Sequence, residues 1–129
     1  MLNDEKRRAH RFDVLWGSMV VGSSELEHGD PPMGVAFGRF HPSEHYALIR
    51  QRCLFDAGLP TDLQLTIRHR DGRAIECVGG VCIEDASDEL GPEEVNVTAA
   101  GIGYPLYEEL FPHYVAAYRA LFSAKSKVD

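Results

Sequence analysis

From position 74 to position 118 the chain has no lysine and no arginine, a gap of 45 residues that nonetheless holds nine carboxylates. These are Glu76, Glu84, Asp85, Asp88, Glu89, Glu93, Glu94, Glu108 and Glu109. The gap therefore carries a formal −9, whereas the rest of the chain, with 13 basic and 11 acidic residues, carries +2. A field of one sign and that density attracts cationic partners and repels nucleic acid and anionic membrane. The basic cluster from Lys6 to Arg11 is too short, on an otherwise acidic protein, to reverse that expectation.

Other absences narrow the class further. No apolar run is long enough for a membrane span, and the longest, 14–21, is interrupted by Gly17. Lys6, Arg7 and Arg8 ahead of that run imitate a signal peptide, but Asp13 and the shortness of the run argue for a basic lead-in over residues 1–11, partly frayed, before a buried strand. Cysteine is scarce: Cys53, Cys77 and Cys82 make an odd count in a chain with a real core, so the expectation is buried thiols in a reducing, cytoplasmic compartment rather than a disulfide framework. With 44% hydrophobic and 26% charged residues over 129 positions, composition is that of one ordinary globular domain. No repeat or linker divides it.

What is present reads as alternating short elements. Residues 12–22 are rich in Val, Leu, Trp and Met and predict a first strand; Gly29-Asp30-Pro31-Pro32 forces a turn before a second strand at 33–40. A helix opens at 40–43, with Pro42 in its first turn and Tyr46, Ile49 and Cys53 on one face, and Gly58 with Pro60 ends it. Leu63, Leu65 and Ile67 then alternate with polar residues up to Asp71-Gly72, a strong hairpin signal, and the chain returns as strand over 74–83 with a bulge or bend at Gly79-Gly80. A fifth strand follows at 95–101. The last element is a helix over 105–124 with an apolar stripe at Tyr107, Phe111, Tyr114, Tyr118 and Leu121, kinked or split at Pro112. The order β-β-α-β-β-β-α predicts a single α+β domain: an antiparallel or mixed sheet of about five strands with two helices packed on one face.

The chemistry-bearing patterns are weak. His41-Pro42-Ser43-Glu44-His45 fits H-x-x-E-H, yet a zinc pair needs both histidines on one helix face, and Pro42 at the helix start takes His41 off it. Glu25, Glu27, His28 and Asp30 precede the second strand while His41, Glu44 and His45 follow it, which makes His28, Asp30, His41, Glu44 and His45 the candidate set for a metal-assisted or acid/base enzyme. Against it, eight extended residues span roughly 26 Å and hold the two groups apart. Cys77 and Cys82 lack zinc-ribbon spacing, no G-x-S-x-G elbow is present, and 85–89 lacks the EF-hand pattern.

The leading expectation is a small acidic interaction domain without catalysis and without a cofactor or metal. Its acidic loop, through Glu84, Asp85, Asp88, Glu89, Glu93 and Glu94, faces a cationic protein, as an inhibitor or immunity-type partner of a basic protein does. The tyrosine-rich C-terminal helix offers a second use, a homodimer seam.

Overall fold

The computed structural model describes residues 11–54 and 63–128, with side chains up to residue 123. The basic lead-in before Arg11 and the Gly58/Pro60 helix stop lie outside the described residues. The fold is α+β, built on two antiparallel sheets rather than one. Strands β1 (Phe12–Trp16), β2 (Met19–Ser24), β5 (His41–Pro42), β6 (Leu65–His69) and β7 (Ala74–Ile75) form the first, in the order β5-β2-β1-β6-β7. Strands β3 (His28–Asp30), β4 (Val35–Arg39), β8 (Gly80–Asp85) and β9 (Val95–Ala100) form the second, in the order β3-β4-β9-β8.

Local chemistry explains why one expected sheet becomes two. The apolar run over 12–22 turns back at Gly17, whose φ of +63° suits glycine, so it is a hairpin in which Trp16 faces Met19. The register shifts between Val14 and Leu15, which leaves Val21 unpaired with β1. The Asp71-Gly72 turn forms as its sequence predicts, with Gly72 N donating to His69 O, but the return strand breaks. β7 ends at Ile75 in the first sheet, and the chain enters the second at Gly80, a positive-φ residue. Residues 25–27 and Phe40 make the other two crossings between the sheets. At the Phe40 crossing the ring lies over Gly22, where a Cβ would stand 2.3 Å from ring carbon Cζ; any side chain there would displace Phe40.

A single apolar cluster draws on both sheets, including Phe12, Val14, Val21 and Ile67 from the first and Ala36, Ile83, Val97 and Ala99 from the second. Helical segments close it. A 3-10 turn (Pro31–Met33) follows β3, and a longer 3-10 stretch (Glu44–Leu48) runs into helix α1 (Arg50–Cys53). Pro42 therefore belongs to β5, and the helical segment is capped instead by Ser43, whose hydroxyl accepts from His45 N. Helix α2 (Ser87–Leu90) follows β8. The final helix does split at Pro112, into α3 (Leu106–Leu110) and α4 (Pro112–Val128).

Aromatic residues dock α3 and α4 against both sheets. Phe111 stacks on Phe12 at 5.6 Å and on Tyr114 at 5.3 Å. Three tyrosine hydroxyls then satisfy carbonyls around β3 and β4: Tyr104 donates to Pro31 O, Tyr107 to Val35 O, and Tyr114 to Leu26 O. Leu26 is the one non-glycine residue with positive φ among those described, and its N–H is held by Ser24 Oγ while its side chain is fully buried. Bonds at both of its backbone groups stabilise a conformation that would otherwise be costly. Among the described residues no helix is long and apolar enough to cross a membrane.

Candidate functional site

Strand β8 has the inward positions Val81, Ile83 and Asp85, so the third inward side chain is a carboxylate. The Asp85 side chain is 0% exposed. An ion this deep is tolerated only when hydrogen bonds replace its water. Here Ser87 N donates to Oδ1 at 2.9 Å, Ser87 Oγ donates to the same oxygen, Tyr46 Oη donates to Oδ2, and Arg50 Nε lies 3.5 Å from Oδ2. Burial pushes the carboxyl up; the bonds from Ser87 and Tyr46, aided by Arg50, outweigh it and hold Asp85 below the ordinary carboxylate value. Burial and the bond to Asp85 push the Tyr46 phenol far up, so it remains a neutral donor. No buried side-chain polar atom among the described residues lacks a partner.

This arrangement joins two segments distant in sequence. Tyr46 and Arg50 come from the 3-10 stretch and α1, and Leu54 makes a parallel bridge to Asp85 itself. The loop beyond Asp85 closes on its own backbone. Ala86 N donates to Glu94 O, Leu90 N to Ala86 O, and Glu94 N to Gly91 O. Its base is thus tied twice, by backbone bonds and by the Asp85 network.

The other five predicted interface residues, Glu84, Asp88, Glu89, Glu93 and Glu94, are exposed, with Leu90 bare among them. Two cations from outside the cation-free stretch meet them: Arg50 Nη2 contacts Asp88 Oδ1 at 2.5 Å, and Arg39 Nη2 contacts Glu93 Oε1 at 3.2 Å. Glu84, Glu89 and Glu94 make no ion pair among the described residues. With six carboxylates against two guanidiniums the region keeps a formal −4. Glu108 is separate from it and pairs with Arg119 at 2.8 Å.

The histidine and carboxylate candidates do not gather. His28 stacks on Phe37 with ring centres 5.2 Å apart, and Asp30 faces Val35 at the other end of β3. Glu27 accepts from Arg39 N at 2.9 Å, and Glu25 is exposed. His41 sits on β5 opposite Ser23, and Glu44 and His45 are exposed neighbours 3.8 Å apart. Among the described residues no group of three or more His, Cys, Asp or Glu is arranged to hold a metal ion. Sequence reasoning placed Asp85 with the surface acids and missed Tyr46 and Arg50 altogether; the signal for Asp85 was its period-two spacing from Val81 and Ile83. The chain matches no family model, no curated protein and no solved structure.

Proposed function

We propose that this chain is a protein-interaction domain whose 84–94 loop receives a cationic protein surface, in the manner of an inhibitor or immunity-type partner of a basic protein. The observation that carries the reading is the division of labour within the loop: Asp85 is turned inward as an anchor, while five carboxylates stay exposed and, among the described residues, Arg39 and Arg50 pair with two of them. An acidic surface fixed by a tied base loses little conformational freedom on binding. Its one-sign field speeds encounter with a cation, and Leu90 supplies an apolar contact at its centre. The same reading places the protein in a reducing, cytoplasmic compartment. Cys53, Cys77 and Cys82 are free thiols, and burial pushes Cys53 and Cys77 up to about 11, which leaves them protonated and unreactive.

The test is a pull-down with the wild-type chain as bait, run at about 50 mM and about 500 mM salt, which span strong and weak screening, and read by mass spectrometry. Basic proteins should be held at low salt and released at high salt. A captured set without basic proteins, or one indifferent to salt, removes the basis for the reading.

A further inference from the structure

The stripe that docks the last helix does not stop where the body stops. Phe111 and Val115 are buried and Tyr114 is half-buried against the body of the fold, but from Ala116 to Ser123 every described residue of α4 is exposed. On that bare length Tyr118, Leu121 and Phe122 continue the same spacing of three and four, with exposures of 41%, 60% and 63%. The Tyr118 and Phe122 rings lie 6.2 Å apart. Beside them, Tyr104 is 51% exposed, and Met33, on the turn against which α4 packs, is 67% exposed. A helix this short gains little stability from backbone propensity alone and takes most of it from covering its apolar face.

We infer that a second copy of this chain covers that face, through a two-fold pairing of the outer halves of α4. Area favours a second copy. A bared aromatic side chain offers roughly 200 Å², so the five residues together expose about 500 Å² and two copies about 1,000 Å², the lower bound for a specific interface. A two-fold axis sets the same apolar stripe on both sides of the contact, so each copy covers what the other bares.

The test is sedimentation velocity of the full chain from about 1 to about 300 µM, a range suited to an interface at the small end of the size scale. The wild-type chain should pass from monomer to dimer. Leu121→Glu with Phe122→Glu, both at exposed positions, should raise the dissociation constant roughly thirtyfold or more, as loss of central apolar anchors does, with an unchanged far-ultraviolet spectrum. A second variant, Met33→Glu, on the exposed turn beside that face, should weaken the dimer by a smaller factor. A wild-type chain that stays monomeric throughout overturns the inference and assigns the face to a different protein. So does a dimer that both substitution sets leave intact.

Discussion

The acidic loop and the outer half of α4 are both bare surface, and they differ in what holds them in place. The loop is anchored by a buried carboxylate with four polar contacts and by its own backbone closure, so its exposed charges stand on a fixed base. The helix has such an anchor only at its start, where Phe111, Tyr114 and Val115 meet the body; beyond them its apolar stripe is open, with Tyr118, Leu121 and Phe122 41%, 60% and 63% exposed. Charge can remain in water at little cost, whereas apolar area there carries a penalty that only a partner relieves. On the two proposals the regions take different partners: a cationic one at the loop and an apolar one at the helix.

The sharpest way to break the contrast is within the helix itself. Phe111→Ala, in the buried half of the stripe, should cost about 3 to 5 kcal/mol in urea unfolding, and Phe122→Ala, in the exposed half, should stay within about 0.5 kcal/mol at concentrations too low for association. Equal costs would mean the outer turns are packed after all. On the loop side, Asp85→Asn should destabilise by about 2 to 4 kcal/mol, because Tyr46, Ser87 and Arg50 lose the carboxylate they share. Its pH dependence has a definite sign. With its folded value depressed, Asp85 contributes stability that is fully present above about pH 4, the ordinary carboxylate range, and is lost as pH falls through the folded value. The Asn variant should show a flatter acid limb in melting temperature, and an unchanged limb would dissociate Asp85 from it.

A smaller effect separates the two kinds of anchoring. Tyr114→Phe removes only the hydroxyl that serves Leu26 O and should cost about 1 kcal/mol, measured by the same unfolding curves. Burial pushes Tyr114 up to about 12 and raises Tyr107 as well, so their protonated forms stabilise the fold fully below about pH 10, and that stability drains away as pH climbs toward and past 12. Alkaline unfolding should begin above about pH 10, with tyrosinate absorbance from these residues appearing together with it rather than before it.

How much of this could be read from the sequence depended on whether the signal was local. The Asp71-Gly72 turn, the alternation of Val95, Val97 and Ala99, and the break at Pro112 are each decided by a few neighbouring residues, and each is found in place. The division into two sheets was hidden because it rests on three crossings, at 25–27, Phe40 and 76–79, whose backbone angles depend on contacts far along the chain. Gly22 shows the difficulty: its meaning lies in the Phe40 ring, 18 positions away. The site divides along the same line. Exposure of Glu84, Asp88, Glu89, Glu93 and Glu94 follows from a polar loop, whereas the burial of Asp85 needs Tyr46 and Arg50, which lie 39 and 35 positions upstream. Its inward phase on β8 was visible, but no local pattern names the partners that make a buried carboxylate tolerable.

The central claim is that the loop's exposed carboxylates contact a partner while Asp85 only holds them. The most direct measurement is low-salt capture of basic proteins by two altered chains compared with wild type, each at a temperature well below its melting point. Glu84→Gln, Asp88→Asn, Glu89→Gln, Glu93→Gln and Glu94→Gln combined should abolish most of the capture and leave the fold intact, and Asp85→Asn should lower the melting temperature and leave capture near the wild-type level. Undiminished capture by the neutralised loop would contradict the account.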